Sequence, residues 1–134
     1  MNNEKQRIFL VDDNASNLMV GRNLLAEIYN VYTCNSGQRM FNLLEKVTPS
    51  LILLDIEMPD MDGYEVLQRL KENRNTADIP VLFLTAHDTE ETKNKGRLLG
   101  VSDFITKPFF PPLLLKCIET HLGGAIDINE KIPI

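Results

Sequence analysis

The sequence predicts an α/β fold, in which five helices cover both faces of a five-stranded parallel sheet. Five short apolar runs alternate with segments of helical periodicity, at residues 8–11, 31–34, 51–54, 81–84 and 101–105. Three of these runs are apolar at every position, which is typical of strands that are buried on both faces. Because strands and helices alternate, the strands are expected to pair in parallel, and right-handed crossovers leave few topologies.

The segments between the runs carry apolar residues at helical spacing. The stripes consist of Met40, Leu43, Leu44 and Val47, then Val66, Leu67 and Leu70, and finally Leu115, Ile118 and Leu122. Each stripe is expected to pack against the sheet as core. The last helix can begin with Pro111 and Pro112, because proline is tolerated in the first helical turn.

The fourth helix is expected at residues 89–100, and it lacks a strong apolar face. Leu98 and Leu99 are its clear anchors, and Gly96 costs a helix interior roughly 1 kcal/mol relative to alanine. Since a helix gains most of its stability from packing an apolar face, this one is predicted to be loosely held.

Length and composition indicate one globular domain. The chain has 134 residues, of which 43% are hydrophobic and 25% are charged, as in ordinary soluble proteins. The net charge is -5 and no long basic run occurs, which argues against nucleic-acid binding through phosphate contacts. With no membrane-length apolar run and no signal peptide, the expected location is the cytoplasm. Residues 1–122 are expected to form the domain, and 123–134 a tail or linker.

The two cysteines, Cys34 and Cys117, lie far apart and form no CxxC pair. Cys34 ends an apolar run and Cys117 lies in an amphipathic segment, so both are expected to be buried, reduced thiols. A disulfide framework or a zinc site would need more ligands than this spacing offers.

Polar side chains follow four of the five apolar runs. They are Asp12 and Asp13 after the first run, Asp55 after the third, Thr85 after the fourth, and Thr106 and Lys107 after the fifth. The apolar residues Ala86 and Pro108 come directly after Thr85 and Lys107. In open parallel sheets, ligands bind at the carboxyl ends of the strands, where the strand order reverses. In the flavodoxin-like order 2-1-3-4-5 that reversal lies between the first and third strands, which carry the three aspartates.

Three neighbouring carboxylates require a cation or a proton. Two like charges ~4 Å apart repel by about 4 kcal/mol at an effective dielectric constant of ~20. Oxygen ligands without histidine or cysteine favour Mg²⁺, with Mn²⁺ as the alternative, and Mg²⁺ pairs readily with a phosphoryl ligand. A metal, Lys107 and the Thr85 hydroxyl around one carboxylate are what phosphoryl transfer requires, and Asp55 can act as the nucleophile.

Each of these residues alone has a simpler explanation. An aspartate at a strand end is more often a helix cap or a turn residue than a nucleophile. The pair Asp12 and Asp13, or Lys107, could be solvated surface charges. The functional interpretation depends on the whole set, with every member at a strand end.

As a set, these motifs resemble the receiver domains of bacterial response regulators in two-component signalling, including chemotaxis receivers. The resemblance covers roughly residues 6–122, and its motifs are VDDN at 11–14, LLDIEMPDMDG at 53–63, LTA at 84–86 and DFITKPF at 103–109. It implies the strand order 2-1-3-4-5. It also implies phosphorylation by a histidine kinase or a phosphotransfer protein, and a signalling module without enzymatic turnover of its own.

The resemblance assigns the acceptor and the metal ligands position by position. Asp55 would be the phosphoacceptor. Asp13 and Asp55 would bind Mg²⁺ directly, together with the backbone carbonyl of Glu57, and Asp12 would act through a bound water.

It also assigns the phosphoryl-binding and switch residues. Thr85, Ala86 and Lys107 would hold the phosphoryl group, and Thr85 and Phe104 would form the switch. Phe104 could equally be only a core residue of the fifth strand. Asp60 and Asp62 are expected to be loop residues rather than ligands.

Three further expectations concern the loops around the site. The Lys107–Pro108 peptide bond would be cis. Gly63 would let the loop after Asp55 turn before the next helix. Glu57 and His87 each lie two residues past a site residue, so they are expected to tune dephosphorylation.

The output is expected on the surface formed by the fourth helix, the fifth strand and the last helix. Its exposed residues would include Glu91, Lys95 and Lys116, and it would contact an output domain beyond Ile134, a separate effector or a phosphorylation-linked dimer partner. The segment FFPP at 109–112 resembles receivers attached to cyclic-dinucleotide enzymes or histidine kinases.

Two other functions share parts of this pattern. A haloacid-dehalogenase-like phosphatase also uses an aspartate after an apolar strand, but its second acid would be an aspartate where this chain has Glu57. A phosphorylation-independent interaction module would be favoured by loss of Asp13, Asp55 or Lys107, and all three are present.

Overall fold

The computed structural model describes residues 5–122, which form a five-stranded parallel sheet in the order β2-β1-β3-β4-β5. The strands are β1 (Arg7–Val11), β2 (Asn30–Cys34), β3 (Leu51–Asp55), β4 (Val81–Thr85) and β5 (Asp103–Thr106). The helices are α1 (Ala15–Leu25), α2 (Gly37–Leu44), α3 (Gly63–Glu72), α4 (Glu90–Leu99) and α5 (Pro111–His121). The predicted fold class and strand order are therefore confirmed. The tail expected at 123–134 lies outside the described residues.

The sheet is covered on both faces, which explains why its central strands are apolar throughout. Every residue of β3 and β4 is buried. Along β1, Phe9 and Val11 belong to one core cluster, whereas Ile8 and Leu10 belong to a second. Because neighbouring side chains of a strand point to opposite faces, these two clusters are the two layers between sheet and helices.

Local sequence signals set the helix ends. Asn14, Ser36, Asp62 and Thr89 are N-caps whose side chains accept a hydrogen bond from the backbone N–H three residues later. Caps of this kind each stabilise a helix by about 1 kcal/mol. α5 instead begins with proline, as expected, and α4 ends at Gly100, whose φ of 95° suits glycine.

Three predicted details are wrong. The last strand begins at Asp103 rather than at residue 101, and α2 ends before Val47. Leu98, expected to anchor α4, is 88% exposed, because it points away from the sheet, and Leu99 alone of that pair packs against the core. Within residues 5–122, no helix is long and apolar enough to cross a membrane.

Candidate functional site

Three aspartates converge at the carboxyl edge of the sheet. β1 and β3 are adjacent, and the last pair in their register is Val11 with Leu54, which places Asp12 and Asp55 side by side. Asp12, Asp13 and Asp55 each present a carboxylate oxygen within 4.8 Å of the others. Asp12 and Asp55 are buried, whereas Asp13 is exposed at the mouth of the site. The predicted acidic cluster is therefore present.

Lys107 reaches this cluster from the loop after β5. Its Nζ donates hydrogen bonds to Asp55 Oδ1 at 3.0 Å and to Asp12 Oδ2 at 3.3 Å. Its backbone N–H donates to the Thr85 carbonyl, and the following Lys107–Pro108 bond is cis, as predicted. Burial acts to lower the pKa of Lys107, but its contacts with Asp55 and Asp12 outweigh burial and raise it. The ammonium group therefore keeps its charge.

Asp12 is held by the start of α1. Its Oδ1 accepts the Asn14 N–H at 2.9 Å, and its Oδ2 accepts the Asn17 side-chain amide at 3.1 Å. Asn17 is a site residue that sequence reasoning missed. The only available signal was its position, one helical turn after the cap residue Asn14. With Lys107 also bonded to Oδ2, both oxygens of Asp12 are already engaged by protein groups.

Asp55 is buried at the end of β3, and this burial dominates its ionisation. Desolvation raises the pKa of Asp55 from its ordinary value of 3.8 to about 6, and the hydrogen bond from Lys107 opposes the rise without cancelling it. The neighbouring charge of Asp12 adds to the rise. Three carboxylates and one lysine leave an excess of negative charge, and every atom that the three aspartates offer to a metal is an oxygen. This donor set fits a hard divalent cation such as Mg²⁺.

Thr85 lies at the end of β4 and is buried beside the acidic cluster. Its Oγ1 accepts a hydrogen bond from the His87 N–H at 2.8 Å and donates one to the His87 carbonyl at 3.0 Å. The hydroxyl is therefore engaged in a local turn. Ala86, between these two residues, is exposed at the surface of the site.

Glu57 and His87 meet at the rim of the site. His87 Nε2 lies 3.6 Å from Glu57 Oε1, and the two side chains are 65% and 68% exposed, respectively. Together with Thr85 and Thr92 they line an open groove next to the acidic cluster. The sequence predicted only that Glu57 lies just after β3 and His87 just after β4, and the structure shows that their side chains meet.

Gly63 is required for a different reason than predicted. It is the first residue of α3, and no left-handed φ is observed there. A Cβ at this position would lie 2.6 Å from the Asp55 carbonyl oxygen and 2.8 Å from the Ile56 Cα. Gly63 is therefore needed because α3 begins directly against the backbone of β3, not because the loop must turn.

The remaining predicted loop residues behave as structural residues. Asp62 caps α3, accepting the Glu65 N–H at 2.9 Å, and Asp60 lies in the preceding loop with φ of 70°. Neither belongs to the acidic cluster within the described residues.

Phe104 lies away from the acidic cluster, on the face covered by α4. It pairs in register with Phe83 of β4, and the two ring centroids are 6.0 Å apart. Gly96 of α4 approaches these rings closely, since a Cβ there would lie 2.8 Å from Phe104 Cζ. Phe104 is partly buried, and it links α4 to β5.

The exposed charges expected on this face are present. Glu91, Lys95 and Lys116 are all exposed. Lys95 is not merely solvated, because its Nζ lies 4.2 Å from the centroid of the Tyr64 ring. This cation–π contact joins α4 to α3.

Both cysteines are free thiols, as predicted, but their surroundings differ. Cys34 is buried, and burial raises its pKa to about 11. The expected burial of Cys117 is only partly confirmed, because this residue is half-buried, and its Sγ donates a hydrogen bond to Asp103 Oδ2 at 3.4 Å.

Most of the chain is similar to a known family of domains. A family model described as the response regulator receiver domain matches residues 8–119. The chain is 39% identical over 115 residues to a probable cyclic di-GMP phosphodiesterase of Vibrio cholerae, covering 86% of this chain and 26% of that protein. The chain spans about a quarter to a half of the length of the curated relatives it matches.

Two solved structures show the same fold. The chemotaxis protein CheY4 of Vibrio cholerae matches with a TM-score of 0.84 and 28% identity, covering 88% of this chain and 99% of that one. The receiver domain of a sensor histidine kinase from Pseudomonas aeruginosa matches with a TM-score of 0.81 and 27% identity, covering 89% and 98% of the two chains. The latter is described with a magnesium ion coordinated in its active site cleft.

Proposed function

Because the chain belongs to the response regulator receiver domain family of two-component signalling, we propose that Asp55 accepts a phosphoryl group in an Mg²⁺-dependent reaction. The donor would be a phosphohistidine of a histidine kinase or of a phosphotransfer protein. The observation that carries the proposal is the buried Asp55 carboxylate, 3.0 Å from Lys107 Nζ and grouped with Asp12 and Asp13.

The transfer step follows from the positions of these groups. A carboxylate oxygen of Asp55 attacks phosphorus while the phosphorus–nitrogen bond breaks, and the histidine nitrogen leaves with the bonding electron pair. Lys107 would bind an oxygen of the incoming phosphoryl group, and its hydrogen bond to Asp55 at 3.0 Å supports this role. Because catalysis of phosphoryl transfer consists mainly of positioning and charge stabilisation, the proposed step needs no general base.

The metal would be held by Asp13, Asp55 and the backbone carbonyl of Glu57, with Asp12 acting through water. When bound, Mg²⁺ neutralises negative charge on the transferred oxygens. Asp13 is exposed and available, whereas both oxygens of Asp12 already accept hydrogen bonds from Asn14, Asn17 or Lys107. This difference supports a direct role for Asp13 and an indirect one for Asp12.

Thr85 and Phe104 are proposed to carry the signal away from the site. The Thr85 hydroxyl would exchange its hydrogen bonds with His87 for a phosphoryl oxygen, and the backbone N–H of Ala86 would hold another. The resulting movement of β4 would reach Phe104, and through Gly96 it would reach α4. The partner surface is then the face of α4, β5 and α5, where an output domain, an effector or a second receiver would bind.

Glu57 and His87 are proposed to set the lifetime of the phosphorylated state. Their side chains lie 3.6 Å apart on the rim of the site and are well exposed. A carboxylate and an imidazole at this place can orient or admit the water that attacks the acyl phosphate. Replacing either with alanine should change the rate of autodephosphorylation without abolishing phosphorylation.

The proposal is tested by treating the chain with acetyl phosphate and Mg²⁺ and measuring its intact mass. We expect one added phosphoryl group in wild type, none in Asp55→Asn, and undiminished addition in the matched control Asp60→Asn. Asp13→Ala should weaken both Mg²⁺ binding and phosphorylation more than Asp12→Ala does. Full labelling of Asp55→Asn would overturn the assignment, and rapid turnover of a phosphoester would favour a phosphatase instead.

A further inference from the structure

A second cluster of side chains of metal-ligand type lies at the start of β5, on the amino side of the sheet, whereas Asp55 ends β3 on the carboxyl side. Asp103 is the first residue of β5, and Cys117 and His121 lie one helical turn apart on α5. Cys117 Sγ lies 3.4 Å, and His121 Nε2 3.1 Å, from the same atom, Asp103 Oδ2. One ligand atom from each residue lies within 4.8 Å of the others.

These distances match the spacing of ligands around one tetrahedral zinc ion. With bond lengths of about 2.0–2.3 Å, two ligand atoms of a tetrahedral Zn²⁺ site lie roughly 3.3–3.6 Å apart. The two pairs observed here differ from that spacing by only a few tenths of an ångström. Cys117 and His121 are four residues apart and so lie on one side of α5, and their contacts with Asp103 show that this side faces β5.

The donor set determines which ion would bind. A thiolate, an imidazole and one carboxylate form a mixed set that suits Zn²⁺ and is a poor match for Mg²⁺, which prefers oxygen ligands and an octahedral arrangement. We infer that Asp103, Cys117 and His121 form a Zn²⁺ site with a fourth, open position for water. The site would join the edge strand β5 to α5, next to the Phe104 position.

A reactive cysteine is the main alternative, and the surroundings of Cys117 argue against it. Nucleophilic cysteines lie in electropositive sites that favour the thiolate. Here burial, together with the negative charge of Asp103, raises the pKa of the Cys117 thiol to about 12. Without a cation the thiol stays protonated and donates to Asp103, whereas a bound Zn²⁺ would take the place of that proton.

The spacing of the two cysteines predicted no zinc site, because two cysteines alone supply too few ligands. The other ligands, His121 and Asp103, come from outside any Cys-containing motif, and Asp103 precedes Cys117 by fourteen residues. Folding of α5 onto β5 is what brings them together.

The test is a titration of metal-free protein with Co²⁺, in the presence of excess Mg²⁺ to occupy the aspartate site. A cobalt–thiolate bond gives an intense near-ultraviolet charge-transfer band, which an all-oxygen site cannot produce. We expect this band to saturate at one equivalent and to disappear when Zn²⁺ is added. Zn²⁺ affinity is then measured by competition with a chromophoric chelator.

The chain supplies matched controls, since it contains two cysteines and two histidines. Cys117→Ser should remove the band, and both Cys117→Ser and His121→Gln should weaken Zn²⁺ binding at least tenfold. Cys34→Ser and His87→Gln should leave both measurements unchanged. No band in wild type, or equal Zn²⁺ affinity in wild type and His121→Gln, would overturn the inference and leave the cluster a hydrogen-bonded contact only.

Discussion

Asp55 is a buried carboxylate with a second one, Asp12, beside it, and a single lysine serves both. The site therefore carries an electrostatic cost before any cation or phosphoryl group arrives. Desolvation is the largest part of this cost and raises the pKa of Asp55 to about 6. The pKa rises from 3.8 to about 6, and one pKa unit corresponds to about 1.4 kcal/mol, so ionised Asp55 destabilises the metal-free fold by on the order of 3 kcal/mol.

This cost predicts a specific dependence of stability on pH. Because the pKa of Asp55 is higher in the folded than in the unfolded chain, the folded state binds more protons between about pH 4 and pH 6. The free energy of unfolding should therefore fall as pH rises through this window. Asp55→Asn, which cannot ionise, should lack this fall and be more stable than wild type at pH 7 in EDTA. Urea denaturation across the pH range measures the difference.

Asp60→Asn is the control for this experiment. Asp60 is exposed, and its φ of 70° is one that asparagine also adopts readily. The free energy of unfolding of Asp60→Asn should depend on pH in the same way as that of wild type. Parallel curves for wild type and Asp55→Asn would mean that burial of Asp55 carries no such cost.

Among the individual residues of the site, those whose position depends only on where a strand ends are predictable from the sequence. Asp12, Asp55 and Lys107 could be predicted because each lies at the carboxyl end of a strand or directly after it, and the ends of parallel strands share one edge of the sheet. Asn17 could not, because its contact with Asp12 depends on how the first turn of α1 is oriented. The need for Gly63 was predicted, but its cause, contact with the Asp55 carbonyl, is visible only in the packed structure.

Among the helices, α4 is the one whose packing the sequence predicted least well. Its bounds agree with the expectation, with Thr89 as N-cap and Gly100 as C-cap. Its anchoring does not, since Leu98 is exposed and Gly96 is the buried residue of the helix. Apolar spacing cannot reveal a contact that depends on the absence of a side chain.

The contact between Gly96 and Phe104 predicts an unusual effect of substitution. Alanine favours a helix over glycine by about 1 kcal/mol, but overpacking a core costs about 1–3 kcal/mol. A Cβ at position 96 would lie 2.8 Å from Phe104 Cζ, so Gly96→Ala should destabilise the domain by about 1 kcal/mol. Denaturant unfolding of the purified variant measures this.

A double-mutant cycle separates the steric cause from others. Phe104→Leu removes the two Phe104 ring atoms nearest the added Cβ, whereas the contact with Phe83 Cε2 at 3.1 Å remains. Gly96→Ala should therefore be less destabilising in that background, by on the order of 1 kcal/mol. Equal effects of Gly96→Ala in both backgrounds would show that the two residues are not coupled through this contact.

In the whole domain, the cluster at the carboxyl ends of the strands was predictable from the sequence, whereas the cluster at the start of β5 was not. The carboxyl edge was predictable, because uninterrupted apolar runs indicated parallel strands and parallel strands place their ends together. The cluster of Asp103, Cys117 and His121 was not, because it depends on the packing of α5 against the edge strand.

The domain as a whole is expected to respond to phosphorylation through α4. Beryllofluoride with Mg²⁺ mimics the phosphoryl group, and it can shift α4 only through differential contacts, which are typically worth about 1–3 kcal/mol. Amide hydrogen exchange of Glu90–Leu99 should change on its addition, while α2 (Gly37–Leu44) stays unchanged. Unchanged exchange in α4, together with protection of the loop after Asp55, would exclude α4 as the switch.

Of the three carboxylates, Asp55 alone is proposed to accept the phosphoryl group, and chemical mapping can identify the modified residue. Sodium borohydride reduces an acyl phosphate of aspartate to the alcohol, so the phosphorylated residue becomes homoserine. After treatment with acetyl phosphate and Mg²⁺, peptide mass spectrometry should find homoserine at position 55 alone, and none when EDTA replaces Mg²⁺. Homoserine at position 12 or 13, or an unmodified Asp55, would contradict the account.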